Sequence, residues 1–140
     1  MGNGIAQVFA QSGFEVRLHD ISRDALDAGM ANIATILDRA IAKSRITEAD
    51  KAAALANINP VTNLSDCGDV DLVIEAATER EPIKQAIFED LLPHIRPDTI
   101  LTSNTSSISI TRLASRTDRP ERFMGLHFMN PVPVMQLVEL

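Results

Sequence analysis

The sequence predicts an α/β fold built around a doubly wound, mostly parallel sheet. Short apolar runs alternate with amphipathic helical stretches along the whole chain. The run at residues 70–77 (VDLVIEAA) is short, apolar and rich in branched side chains, as buried strands of parallel sheets are. Strands that alternate with helices imply βαβ units with right-handed crossovers.

Composition limits the size and class of the protein. The chain has 140 residues, 45% hydrophobic and 23% charged, which is the balance of one globular domain rather than of a disordered chain. Its 13 basic and 19 acidic side chains give a net charge of −6, which argues against nucleic acid as a partner. Cys67 is the only cysteine, so neither an intrachain disulfide nor a cysteine zinc site is predicted. No apolar run approaches the roughly 20 residues that span a bilayer, and we expect a cytoplasmic protein without membrane or metal partners.

Both ends of the chain are unusual for a natural domain. The chain opens on a predicted helix and closes on an apolar predicted strand, VMQLVEL. We therefore expect a piece of a longer protein, with its first sheet strand upstream and Met1 an internal methionine. We expect this piece alone to be inactive and marginally stable.

The first half of the chain predicts helix, strand, long helix and short helix. The first helix ends at Gly13, and a strand follows at residues 15–19. Ser22 is the predicted N-cap of the long helix. The apolar stripe of that helix comprises Leu26, Met30, Ile33, Leu37 and Ala40. Thr47 and Asp50 form the capping pattern of the short helix, which Asn59 and Pro60 end.

The second half predicts further strand–helix alternation. After the strand at residues 70–77, Thr78 with Glu81 predicts an N-terminal cap, and Pro82 suits a first turn. The helix that follows carries Ile83, Ile87 and Leu91 and ends at Pro93. Next come a strand at 99–102, the polar loop SNTSS, a helix at 108–114 and a strand at 123–128.

Polar clusters follow four of the predicted strands. They are Asp20, residues 75–79, residues 103–107 and residues 127–130. In open parallel sheets, ligands bind beyond the carboxyl ends of the strands. The four clusters therefore predict one ligand site at a single edge of the sheet.

Asp20 and the first glycines fit a dinucleotide site. In dinucleotide-binding folds an acid at this strand end binds the adenine ribose, and its charge disfavours the 2′-phosphate of NADP. Asp20 lies 18 residues after Gly2, as expected if Gly2 ends a glycine-rich loop. The alternatives are a solvated aspartate beside the Ser22 cap, and small residues at Gly2 and Gly4 that let elements pack closely.

His127 is the candidate general base. It follows an apolar strand, and Glu139 lies 12 residues later on the next predicted strand. A loop containing Pro131 and Pro133 can return the chain so that the carboxylate orients the imidazole and raises its basicity. The alternative is a strand-end histidine bonded to a backbone carbonyl.

Two further positions at the same edge are candidates. Ser106 can bond a substrate oxygen, or it can be the N-cap of the following helix. Glu79 with Lys84 can be a pair on the cofactor side, or a surface ion pair of little energetic weight. Cys67 is interpreted as a packing or turn residue.

Several stretches resemble the NAD-binding domain of the L-3-hydroxyacyl-CoA dehydrogenases, including the 3-hydroxybutyryl-CoA dehydrogenases. They are MGNGIAQVFAQSGFEV, LHDIS, VDLVIEAATER, LTSNTSSISI and MGLHFMNPVPVMQLVEL, and together they cover most of the chain. The last of them looks more like the stand-alone dehydrogenases than the module of multifunctional β-oxidation proteins. The resemblance implies a Rossmann-like domain over residues 1–140, truncated at its first strand and lacking the family's helical C-terminal domain.

The resemblance also implies a role for particular residues. His127 looks like the catalytic base, Glu139 like its partner, and Ser106 like a contact of both substrate and nicotinamide. Lys43 looks like a basic contact of coenzyme A, although a serine of some relatives is Ile36 here. The remaining cofactor contacts would be Met1, Gly2, Asp20, Glu79, Lys84 and Asn130.

The activity implied is the NAD-dependent, reversible oxidation of a (3S)-3-hydroxyacyl-CoA to the 3-oxoacyl-CoA, as in fatty-acid metabolism. The complete enzyme would be a homodimer through the missing domain. Two alternatives stay open: a dinucleotide-binding remnant without catalysis, and the dehydrogenase module of a multifunctional protein.

Overall fold

The computed structural model describes all 140 residues, which form two compact units. The first unit comprises Met1–Asn63 with Pro131–Val134, and the second comprises Leu64–Asn130 with Met135–Leu140. Three of the four strand pairings are parallel, so the prediction of an α/β fold with mostly parallel pairing is confirmed.

The first unit contains three helices and a two-stranded parallel sheet. In chain order its elements are α1 (Gly2–Gln11), β1 (Val16–His19), α2 (Arg23–Ala42), α3 (Glu48–Ala56) and β2 (Ile58–Val61). The predicted caps are confirmed: Ser22 Oγ accepts from the Ala25 amide at 3.2 Å, and Thr47 forms a reciprocal capping box with Asp50. The predicted stripe of α2 is also confirmed, because Ile33 and Leu37 are fully buried in the core of this unit.

Strand β2 was not predicted, since Asn59 and Pro60 indicated only the end of a helix. Its register pairs Pro60 with Leu18. The carbonyl of Asn57 accepts from the Val16 amide, and that of Val61 accepts from the Asp20 amide. The backbone polar groups of alternate residues along β2 are therefore directed at β1. Pro60 falls between them, where its missing amide hydrogen is not needed for the pairing.

The second unit contains a three-stranded parallel sheet and a short antiparallel pair. Its strands are β3 (Leu72–Glu75), β4 (Ile100–Ser103), β5 (Phe123–Gly125), β6 (His127–Phe128) and β7 (Val138–Glu139). Its α-helices are α4 (Glu81–Leu91) and α5 (Ile110–Ala114). Strand order in the parallel sheet is β3–β4–β5, and Leu101 at its centre is fully buried. The rings of Phe88 and Phe123 pack edge to face at 5.0 Å between centroids.

Three expectations for this unit are wrong in detail. The cap of α4 is Arg80, not Thr78, and no side chain caps it. The predicted strand at 123–128 is divided at Leu126, because β5 pairs with β4 whereas β6 turns to pair with β7. The closing apolar stretch is a strand only at Val138–Glu139.

Helix α4 also turns a different face inward from the one predicted. Its most buried side chains are Lys84, Phe88 and Leu91, while Ile83 and Ile87 are only half-buried. A lysine therefore occupies the centre of the inward face. None of the helices combines the length and the apolar character that a membrane crossing requires.

Candidate active site

His127 and Glu139 face each other across the antiparallel pair of β6 and β7. They are register partners, and His127 Nδ1 lies 3.0 Å from Glu139 Oε2. The side chain of His127 is 24% exposed and that of Glu139 is 60% exposed. The sequence-based expectation of this contact is confirmed, and the alternative of a histidine bonded to a backbone carbonyl is wrong.

The contact determines the state of the imidazole. A carboxylate only accepts hydrogen bonds, so Nδ1–H is the donor of the hydrogen bond to Glu139. The second ring nitrogen, Nε2, makes no hydrogen bond within the protein. In the neutral form of the ring, Nε2 therefore carries a lone pair that no group of the protein occupies.

Local structure holds both residues in place. The proline-containing turn between the two strands closes with a hydrogen bond from the Val134 amide to the Pro131 carbonyl, at 3.0 Å. On the other side, the Phe128 amide donates to the side-chain oxygen of buried Asn104, at 2.8 Å. Asn104 thus attaches the histidine strand to the loop that follows β4.

That loop presents Ser106 to solvent. The cap of α5 is Ser109, whose hydroxyl accepts from the Arg112 amide at 3.2 Å, so the alternative of Ser106 as the cap is wrong. Thr105 Oγ1 accepts from the Ile108 amide at 3.1 Å and organises the loop internally. The hydroxyl of Ser106 makes no hydrogen bond within the protein and is free for a ligand.

Glu79 connects the loop after β3 to the Ser106 loop. Its Oε2 accepts from the hydroxyl of Thr105 at 2.7 Å and from that of Ser107 at 3.1 Å. Partial burial opposes ionisation of this carboxyl, but the bonds from Thr105 and Ser107, the charge of Lys84 and the Ser106 amide together lower the pKa of Glu79 below its usual value. Glu79 is therefore a carboxylate near neutral pH, and it fixes both neighbours of Ser106.

Lys84 lies beneath this edge and not on it. The expected ion pair with Glu79 is wrong: Lys84 Nζ binds Oε1 and Oε2 of Glu75 at 3.0 and 2.8 Å. Lys84 is 0% exposed and Glu75 is 5% exposed. The sequence placed Glu75, Ser103 and Asn104 within the polar clusters at the strand ends but assigned no individual role to any of them.

The first unit carries features that fit the nucleotide end of NAD. Met1 is the N-cap of α1, no side chain caps the helix, and its first turn contains no acidic residue. Apart from its chain neighbours and the backbone of its own helix, nothing lies within 4 Å of the place where a Cβ of Gly2 would be. Such a helix start, with free amides and an open glycine, suits a phosphate group.

Asp20 follows β1 in the same unit. Its Oδ1 accepts from the Ser22 amide at 2.8 Å, as the alternative interpretation expected. Its other oxygen makes no hydrogen bond and remains available for a ribose hydroxyl.

The other residues singled out from the sequence lie as follows. Lys43 is exposed at the C-cap of α2, and Asn130 is exposed directly before Pro131. Cys67 is buried in a short 3₁₀ helix, which agrees with a packing role.

Comparison with known families places the whole chain in one of them. Residues 1–140 match the family described as "3-hydroxyacyl-CoA dehydrogenase, NAD binding domain". The chain belongs to this family. The resemblance seen in the sequence, the Rossmann-like fold and NAD as the cofactor are thereby confirmed.

Individual relatives agree with this assignment. The chain is 55% identical over 140 residues to a 3-hydroxybutyryl-CoA dehydrogenase of Bradyrhizobium diazoefficiens, covering 100% of this chain and 48% of that protein. It is 41% identical to the fatty acid oxidation complex subunit alpha of Pseudomonas entomophila, covering 20% of that protein. The crystal structure of (S)-3-hydroxybutyryl-CoA dehydrogenase from Ralstonia eutropha superposes with a TM-score of 0.96 at 51% identity, covering 99% of this chain and 49% of that one. The chain thus spans about half the length of these two 3-hydroxybutyryl-CoA dehydrogenases.

Proposed function

We propose that residues 1–140 are the NAD-binding domain of an NAD-dependent 3-hydroxyacyl-CoA dehydrogenase. The observation that carries this proposal is the pairing of His127 Nδ1 with Glu139 at 3.0 Å, which leaves Nε2 unbonded. A pure nucleotide-binding domain has no use for a base held in this way. Family membership supplies the reaction class, and the histidine supplies the means of proton transfer.

In the oxidation direction, His127 Nε2 takes the proton of the C3 hydroxyl as the O–H bond breaks. The electron pair of that bond forms the C3=O double bond while the C3–H bond breaks, and Glu139 stabilises the imidazolium that results. When bound, NAD supplies the acceptor for the hydrogen that leaves C3 with its electron pair. In the reduction direction, the imidazolium returns the proton to the oxygen.

Ser106 positions the reacting oxygen. Its free hydroxyl donates to the C3 oxygen, and this hydrogen bond gains strength as negative charge develops there. Glu79 holds the loop from both neighbours of Ser106, so the hydroxyl is oriented before substrate arrives. Preorganisation of this kind lowers the barrier because no reorientation is needed during reaction.

We propose that the cofactor contacts are those that the family resemblance implies. Met1, Gly2 and Asp20 would hold the pyrophosphate and the adenine ribose, and Asp20 favours NAD over NADP. Glu79, Ser106 and Asn130 would meet the nicotinamide end, whereas Lys84, which the resemblance also implies as a contact, is enclosed beside Glu75. Lys43 is the proposed contact of the coenzyme A moiety. The complete protein is proposed to be a cytoplasmic homodimer.

Two other functions are separable by experiment. A dinucleotide-binding remnant would bind NADH without turnover. A module of a multifunctional protein is suggested by the match to a fatty acid oxidation subunit, and a hydratase-like sequence upstream would identify it.

The test is to incubate the complete protein that carries this chain with acetoacetyl-CoA and NADH. We expect NADH consumption matched by formation of the (3S)-3-hydroxy product. Titration with NADH in the absence of substrate gives the binding constant independently. Normal NADH affinity without turnover on any 3-oxoacyl-CoA would contradict the dehydrogenase assignment and favour the remnant.

A further inference from the structure

A buried charged cluster lies beneath the proposed active-site loops. It consists of Glu75 at the end of β3, Lys84 on α4 and Ser103 at the end of β4. Lys84 and Ser103 are 0% exposed, and Glu75 is 5% exposed. We call these three residues the Glu75 cluster.

The Glu75 carboxylate accepts four hydrogen bonds, all of them from groups of the protein. Lys84 Nζ donates to Oε1 at 3.0 Å and to Oε2 at 2.8 Å. Ser103 Oγ donates to Oε2 at 2.6 Å, and the Ala77 amide donates to Oε1 at 2.6 Å. Because the ammonium of Lys84 is enclosed and binds both oxygens, it is not presented to a ligand.

The cluster joins the first residues of two loops. Glu75 and Ser103 are register partners on adjacent strands, and the loops that carry Glu79 and Ser106 start directly after them. The Ala77 amide is held by the Glu75 side chain, and the Asn104 amide donates to the Glu75 backbone carbonyl at 2.7 Å. Glu79 then bonds Thr105 and Ser107 further along the same loops.

Stability alone does not explain a buried ion pair. Removing two charges from water is costly, and uncharged side chains of similar volume often serve stability equally well. We propose that the Glu75 cluster is a positioning device: it fixes the starts of both loops so that Glu79 orients Ser106. Lys84 thus acts through Glu75 rather than by touching the cofactor. This inference rests on the proposed dehydrogenase function.

The test uses the complete protein with a neutral pair, Glu75→Gln together with Lys84→Met. This pair keeps the volume and leaves no unpaired buried charge, so the fold is expected to persist in thermal melts. We expect kcat to fall roughly 10–100-fold, because small displacements of positioning groups have effects of this size, while NADH affinity changes less than about threefold. Arg112→Met is the control, since it removes the pair that Arg112 on α5 makes with Glu81 on α4 at the protein surface, and it is expected to leave kcat unchanged.

A second readout separates positioning from general destabilisation. In a Ser106→Ala background, the neutral pair is expected to lower kcat little further, because the cluster acts through Ser106. An equal fall in both backgrounds would overturn the proposal. So would a large loss of NADH affinity in the neutral pair with kcat retained, which would assign Lys84 a direct cofactor contact.

Hydrogen exchange makes the test independent of turnover. In the neutral pair, the amides of Ala77 and Ser106 are expected to exchange faster than in the wild type, while amides of β1 remain unchanged. Unchanged exchange at both amides would overturn the positioning role. If the wild type shows no dehydrogenase activity, the proposed function fails, and these amides still decide whether the cluster holds the loops.

Discussion

Asp20 occupies the end of β1 with only one of its carboxylate oxygens in a hydrogen bond, to the Ser22 amide at 2.8 Å. The free oxygen and the negative charge have different consequences for a bound cofactor. The oxygen serves a ribose hydroxyl, whereas the charge repels a 2′-phosphate. The substitution Asp20→Asn removes both the free acceptor oxygen and the charge, while its amide oxygen still accepts from the Ser22 amide.

We predict that Asp20→Asn weakens NADH binding about tenfold, the effect of losing a hydrogen bond to a charged group, and strengthens NADPH binding. Calorimetric titration with both cofactors measures the ratio. Asp27→Asn is the control, since Asp27 is an exposed carboxylate that pairs with Arg23 on α2. An unchanged NADH-to-NADPH ratio in Asp20→Asn would exclude Asp20 from the ribose site.

Glu79 gives the Ser106 loop a dependence on pH. The pKa of Glu79 is lowered because the bonds from Thr105 and Ser107 and the charge of Lys84 outweigh partial burial. A lowered folded-state pKa means that the carboxylate stabilises the fold fully above the unfolded value, about 4.3, and that this contribution is lost as pH falls through the folded value.

We therefore predict that the Tm of the wild type is higher than that of Glu79→Gln at neutral pH, and that this difference in Tm disappears in acid. Thermal melts of both proteins across the acid range test this. The control is Glu89→Gln, at an exposed position on α4. A Tm difference between wild type and Glu79→Gln that is the same at every pH would contradict the role of the carboxylate.

At the scale of elements, helices α1 and α2 approach closely at one glycine. A Cβ on Gly29 would lie 2.6 Å from Asn3 Oδ1 and 2.9 Å from its Cγ, so the Asn3 side chain would have to move. Gly29 lies within α2, where alanine is otherwise favoured by about 1 kcal/mol. The position of the Asn3 side chain therefore opposes part of the gain that alanine would bring at Gly29.

We predict that Gly29→Ala stabilises the protein by less than the roughly 1 kcal/mol of helix propensity gained, because displacing the Asn3 side chain offsets part of that gain. In an Asn3→Ala background the same substitution is expected to stabilise by about 1 kcal/mol. Urea unfolding of the four proteins measures this coupling. The same effect of Gly29→Ala in both backgrounds would refute the steric explanation.

The elements also show how far the sequence predicts this fold. Periodicity and capping predicted α2 and α3 correctly, because Ser22, Thr47 and the stripe of α2 act through contacts local to their helices. β2 was missed because a proline usually ends a strand or a helix. Pro60 is tolerated because the hydrogen bonds to β1 are made by residues on either side of it, where its missing amide hydrogen is not needed. The division at Leu126 depends on the return of β7, which no local pattern encodes.

The candidate site was predictable where its residues sit at strand ends. His127 and Glu139 met as expected because the proline turn returns the chain. Lys84 was misplaced because a lysine on an amphipathic helix ordinarily faces water. Lys84 can be buried because its ammonium binds the carboxylate of Glu75. The spacing of these two residues in the sequence does not indicate that they pair.

For the whole molecule, the central claim is that a family domain spanning half of its relatives' length contains the general base of the reaction. Substrate binding and dimer contacts of the complete protein stay proposals. The proposed base, His127, lies within this chain, in the β6–β7 pair of the second unit. Its role is therefore the part of the account that a single substitution tests.

The most direct measurement is the turnover of acetoacetyl-CoA with NADH by the complete protein carrying His127→Ala, together with its NADH affinity. We predict NADH binding within about twofold of wild type and a fall in kcat of about 10²-fold or more, the loss expected when a general acid–base group is removed. Near-normal turnover by a folded His127→Ala protein would contradict the account, because the pairing of His127 with Glu139 would then have no part in the chemistry.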